Sequence, residues 1–212
     1  MAEIKAGPRI QDLNKFTLFA EIPGVDNQRA RLTWSIRGGQ PRISVFMFNP
    51  ATNRNEVISA PLAPEVFMFL CDKIEEVTTA ALGTKFKVEC LTAVRDASGK
   101  MTPERKLISE LWFGIDAEGM VWLSIIDGDK PRIKFNFNLW EYNKIYKPDG
   151  SALTASEGSI GIAKSTIRAL RQIYTTNISE FTEYVPAGGK AGAATSTTGA
   201  KTDTSVLEDL TF

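Results

Sequence analysis

The chain has 212 residues, 43% of them hydrophobic, and its 25 Lys and Arg balance 25 Asp and Glu. That length supports one large core or two small ones. The sequence holds no histidine, which removes Ser-His and Cys-His nucleophile pairs, imidazole bases and nearly all zinc-site patterns.

A chain with zero formal net charge can bind a polyanion only through a local cluster of its basic groups. No apolar run is long enough to span a bilayer, and residues 1–8 carry no apolar core of a secretory signal, so a cytoplasmic protein is expected. Cys71 and Cys90 sit among apolar neighbours. Buried free thiols are the expectation and a disulfide is the alternative.

Residues 15–49 alternate apolar and polar side chains and read as strands at 15–22, 29–37 and 42–49. Pro23-Gly24 and Gly38-Gly39-Gln40-Pro41 supply the turns. A short fourth strand is expected at 56–59. The period then becomes helical over 61–82, with Val66, Phe69, Leu70, Ile74 and Val77 recurring on one face and Pro61 and Pro64 near its start. Four more strands follow at 85–95, 106–116, 119–126 and 132–138, with turns at Ser98-Gly99, Glu118-Gly119 and Asp127-Gly128. Residues 139–149 have no clear periodicity. A second helix is expected over 155–176, with Ile160, Ala163, Ile167, Leu170 and Tyr174 as its apolar stripe. Its Lys164, Arg168 and Arg171 form either a solvated face or a second basic patch.

The two halves are similar. Residues 35–49 and 124–138 share Ser-Ile, a glycine and then Pro-Arg-Ile, at Pro41-Arg42-Ile43 and Pro131-Arg132-Ile133. The end of each helix is similar as well, at 74–79 and 170–176. This predicts a duplication. The fold class expected is α+β: two tandem four-strand-plus-helix repeats, about 15–82 and 85–181, in one domain over 1–185. Residues 186–205, rich in Gly, Ala, Thr and Ser, are expected to be a disordered linker. Residues 206–212 then restore apolar and acidic side chains.

This order of elements resembles the Whirly and PUR-repeat families over residues 15–181. Their duplicated units bind single-stranded nucleic acid.

Strand alternation puts Arg29, Arg31, Thr33, Ser35 and Arg37 on one face, opposite Ala30, Leu32, Trp34 and Ile36. The next strand puts Arg42, Ser44, Phe46 and Phe48 on its polar side. Arg132, Lys134, Asn136 and Asn138 are the matching positions of the second half. Lys130 precedes that strand, and Lys85 and Lys87 share a face of another. Phe19 and Trp112 also fall on polar sides. The candidate nucleic-acid contacts are therefore Arg29, Arg31, Arg37, Arg42, Phe46, Phe48, Lys85, Lys87, Lys130, Arg132 and Lys134. Cations release counterions from phosphates, and rings stack on unpaired bases. For Phe46 and Phe48 the alternative is packing beneath a helix or against another subunit. For Arg42 and Arg132 it is bracing of a turn.

The end of the chain, with Glu208, Asp209, Leu210 and Phe212, resembles the tail tips of bacterial and phage single-stranded-DNA-binding proteins, which dock on partner enzymes. Taken with the repeat, the chain is similar to phage single-stranded-DNA-binding proteins, in particular to the RNA polymerase cofactors of N4-related phages. The resemblance implies a non-enzymatic protein that binds single-stranded DNA without strong sequence preference. It also implies a phage RNA polymerase or replication protein as partner of the tail. No cofactor, metal site or membrane contact is expected, and exposed sheet edges leave room for a homo-oligomer. The rival reading is an assembly component that uses the aromatic sheet for oligomerisation. Gly158 to Ser165 has a passing likeness to a phosphate-binding loop, but Ala163 stands where that pattern needs Gly, so the match is rejected.

Overall fold

A computed structural model describes residues 10–12, 16–37, 39–128, 130–139 and 141–177. The expected linker (186–205) and tail (206–212), with Glu208, Asp209, Leu210 and Phe212, lie outside these described residues.

The first sheet is antiparallel and four strands wide. β1 (Ile10–Asp12) and β2 (Leu18–Glu21) share the edge beside β3 (Arg29–Arg37). β4 (Gln40–Asn49) and β5 (Arg54–Pro61) follow in order. The second sheet runs β6 (Lys85–Arg95), β7 (Met101–Ile115), β8 (Val121–Ile126) and β9 (Phe135–Asn136), also antiparallel. Two helices, α1 (Pro64–Val77) and α2 (Ala155–Asn177), each follow a sheet. The chain is thus α+β with two antiparallel sheets and two helices.

Several boundaries differ from the sequence expectation, each for a local reason. The fourth strand is longer than 56–59, because the whole of β5 pairs with β4 from Arg54 to Pro61. Pro61 therefore ends a strand, and the first helix starts at Pro64, where a missing N–H costs nothing. Its buried stripe is Phe67, Leu70, Cys71, Ile74 and Val77. Those residues follow the i, i+3, i+4, i+7 spacing from Phe67. Phe69 falls off that stripe and is 56% exposed, against the expectation of a core residue. The expected strand 132–138 keeps its alternation, with Ile133, Phe135 and Phe137 buried, yet only Phe135 and Asn136 pair with β8. Pro131, which offers no donor, stands ahead of it. Helix α2 starts on a capping box: Thr154 Oγ1 accepts from Glu157 N, and Thr154 N donates to Glu157 Oε2 at 2.9 Å. Gly158 to Ser165 lies within this helix, not in a loop.

The two units share one core. Inward residues of both sheets and both helices form a single buried apolar cluster. Tyr174 of α2 meets Phe67 of α1 edge to face at 5.1 Å and donates from its hydroxyl to Gly39 O in the first unit. Ser109 Oγ of β7 donates to Ser59 O of β5 at 2.9 Å, joining the sheets. Gly114 is required where β7 passes the Thr84–Lys85 backbone, since a Cβ there would collide with Thr84 O. Arg168 and Arg171 do not make a basic patch. They pair with Glu75 (2.7 Å) and Asp72 (2.5 Å) of α1. Cys71 and Cys90 are buried free thiols. Burial pushes the Cys71 thiol up to about 12. Among the described residues no helix is long and apolar enough to cross a membrane.

The similar hairpins do not occupy the same place in the two sheets. Residues 35–49 lie in β3 and β4, and β4 has strand neighbours on both sides. Residues 124–138 end in β9, which pairs with β8 at the sheet's edge. Arg42 and Arg132 therefore match in sequence but not in strand position.

Candidate nucleic-acid interface

Each sheet buries one face under the helices, and the strand period sends alternate side chains outward. On the first sheet the register lines up Phe19, Arg31, Phe46 and Val57 as one rung across β2, β3, β4 and β5. The Arg31 guanidinium lies over the Phe46 ring, 4.6 Å from its centroid. Phe46 is half-buried on the outer face and Phe19 is 48% exposed. Phe46 thus does not pack beneath a helix. Phe48 is different: it is half-buried and packs against the core cluster. Two rungs along, Arg42 stands between Ser35 and Pro61. The rung between them holds Thr33, Ser44 and Ser59, with the two serine hydroxyls 3.0 Å apart. Arg29, Arg31 and Arg37 are exposed.

The second sheet presents tryptophans outward. Lys87, Trp112 and Ser124 form one rung, and Lys85, Gly114, Trp122 and Asn136 the next. Lys85 and Lys87 Nζ each lie 5.8 Å from the Trp112 centroid. Lys134 Nζ lies 5.9 Å from that of Trp122. These cations are partly spoken for. Lys87 pairs with Glu89 (2.6 Å) and Glu110 (3.3 Å), and both carboxylates raise its pKa, Glu89 first. Trp112 Nε1 donates to Glu110 Oε2 at 2.9 Å, the first cause of that carboxyl's lowered pKa. Lys134 pairs with Asp116. Burial of Asp116 opposes its ionisation, and the Lys134 and backbone hydrogen bonds outweigh that burial, so its pKa is lowered.

Between β2 and β9 the two outer faces meet in a cleft of about 970 Å³. Phe19, Arg29 and Arg31 line it from the first sheet, and Arg132, Lys134 and Asn136 from the second. Glu21 and Glu141 are its acidic members. With Lys134 already paired to Asp116, Arg29, Arg31 and Arg132 stand against Glu21 and Glu141, which leaves the cleft slightly basic on a chain with no net charge.

The eleven expected contacts are therefore not gathered into one patch. Arg29, Arg31, Arg132 and Lys134 converge on the cleft. Arg37, Arg42, Phe46 and Phe48 belong to the first sheet's strands, with Phe48 turned partly to the core. Lys85 and Lys87 lie on β6, the sheet edge opposite β9. Lys130 sits in the β8–β9 connection, paired with Asp127 at 2.5 Å. Trp122 was not among them, although alternation with buried Val121, Leu123 and Ile125 marks it as outward. Among the described residues no three His, Cys, Asp or Glu side chains gather as a metal site would need.

No protein-family model matches the chain, and neither a curated protein nor a solved structure is significantly similar to it.

Proposed function

We propose that the chain binds single-stranded DNA, without catalysis and without strong sequence preference, along the outer faces of its sheets and the cleft between them. The observation that carries this reading is the Phe19–Arg31–Phe46 rung beside the basic cleft. The exposed Phe19 ring and the Arg31 guanidinium plane, which lies over Phe46, offer an unpaired base a stacking surface and its phosphate a counter-charge, a combination that tolerates any base. Trp112 and Trp122, each under a lysine, repeat the arrangement on the second sheet. Duplex DNA keeps its base faces covered and gains only the phosphate contacts. On this reading the architecture is a Whirly- or PUR-like one, working in the host cytoplasm in phage transcription or replication. The recruitment of a polymerase through Glu208, Asp209, Leu210 and Phe212 rests on the resemblance alone.

The test is a titration of a fluorescent single strand of about 30 nucleotides, several times a typical single-domain site, and of its duplex. It is run at two salt concentrations with wild type and with an Arg31→Ala/Phe46→Ala variant. We expect tight single-strand binding that weakens with salt. Losing one stacked base costs about 1–3 kcal/mol, roughly 5- to 150-fold in affinity. Equal affinity for duplex and single strand, or an unaffected variant, overturns the stacking surface and favours a subunit contact for these rings.

A further inference from the structure

We infer that the β6–β7 hairpin is a self-complementary arm through which two copies of the chain pair. β8 pairs with β7 only from Glu110 to Ile115, so the hairpin continues past the sheet as a two-stranded ribbon. A lone ribbon of this kind is marginal in water. This one nevertheless presents Leu91 (50% exposed), Leu107 (48%) and Met101 (68%) to solvent.

The register puts these residues on a common face. A bulge lies between Cys90 and Leu91, and beyond it Leu91 faces Leu107, Ala93 faces Arg105 and Arg95 faces Met101. Before it, Glu89 faces Glu110. Along this face the ribbon therefore reads acidic rung, leucine rung, arginine rung. The outer two each lie about 7 Å from the leucines, two residues of strand. Glu89 and Glu110 both pair with Lys87, and Arg132 acts on Glu110 from farther away. Arg105 donates to the backbone carbonyls of Thr102, Pro103 and Glu104.

Such a pattern fits a second copy of itself. A two-fold axis through the leucine rung lays leucine on leucine and sets each Glu89–Glu110 rung against the partner's Arg105 rung. The same patch is used on both copies, as a two-fold interface requires. Apolar area leaves water, and each copy's acidic side chains face an arginine of the other. The leucine rung lies past the end of β8 and is not part of the cleft lining, whereas the Glu89–Glu110 rung adjoins Lys87 and Trp112 on the same face, so pairing covers that part of the proposed DNA surface and leaves the cleft lining free of the arm's leucines.

Sedimentation of the full chain over a concentration range tests this independently of DNA binding. Wild type should be a dimer, and Leu91→Asp/Leu107→Asp a monomer with an unchanged circular-dichroism spectrum. Glu89→Arg and Arg105→Glu should each weaken self-association by roughly tenfold or more through like-charge contacts, and an equimolar mixture of the two should restore a mixed dimer. A wild type that is monomeric at every concentration, a leucine variant that stays dimeric, or a mixture that does not pair overturns the arm interface. The mixture guards against variants that merely misfold, and oligonucleotide binding by the monomeric variant separates this outcome from failure of the DNA reading.

Discussion

Phe46 and Phe48 are two residues apart on one strand, and alternation alone treats them alike. The structure separates them: Phe46 lies under Arg31 on the outer face, while Phe48 also packs against the core. Which of two same-face rings touches the core depends on where the sheet ends, and that is not written in the strand's own period. Phe67 and Phe69 make the same point on α1, where the choice of stripe depends on how the helix is rotated on the sheets. Charge at single residues is more local. The Lys147 ion pair, followed by the Thr154 N–H and hydroxyl, holds the Glu157 carboxyl at about 2, down from 4.5. A depressed folded-state pKa contributes stability above the unfolded value and loses it as pH falls through the folded one. Glu157→Gln should therefore lower the melting temperature at neutral pH. The gap between variant and wild type should close between about pH 4.5 and pH 2. Melting curves across that range check it, and a gap that persists at pH 2 sinks the capping account.

At the scale of elements, helices α1 and α2 are held by two kinds of contact of unequal weight. Leu70, Ile74, Ile167 and Leu170 are buried in the common cluster. Arg168 pairs with Glu75 near the surface, and that hydrogen bond is the first cause of the lowered Glu75 pKa. Truncating a fully buried leucine costs about 2–5 kcal/mol, whereas an exposed ion pair contributes about 0–1 kcal/mol. In urea unfolding, Leu70→Ala should be several-fold more destabilising than Glu75→Gln. Comparable losses would mean that the charges, not the stripe, hold the pair. Both helices and most strands were legible from period and turn residues, because those signals need only neighbours in sequence. The short β1 was missed, and the fourth strand was read too short. Both lie at a sheet edge, where partner availability sets the length.

For the whole molecule, the cleft is the feature with the most to say about function. It joins Arg29 and Arg31 to Arg132 and Lys134, which are separated by about half the chain. If one strand of DNA passes through it, Arg132→Glu should weaken binding and flatten the salt dependence by roughly one phosphate contact, about 0.7 in the log–log slope. Folding should be unaffected, since the Arg132 side chain is exposed. Salt titrations of wild type and variant measure this, and parallel slopes would take the cleft out of the DNA path.

Composition, periodicity and turn chemistry by themselves determined the α+β class, the order of sheet-forming and helical segments and the outward placement of Arg31 and Trp112. Each depends on contacts between near neighbours or on the fixed period of a strand or helix. The free state of Cys71 and Cys90 and the outward side of Phe46 were chosen among alternatives only by the structure. Only the tertiary structure decided that the two similar hairpins sit at different strand positions. It alone paired Arg168 and Arg171 with α1, and placed Lys85 and Lys87 at the sheet edge away from the cleft. Those outcomes depend on how one unit's edge meets the other's, a long-range packing choice that drives apolar faces together wherever their shapes fit and carries the attached charges with them.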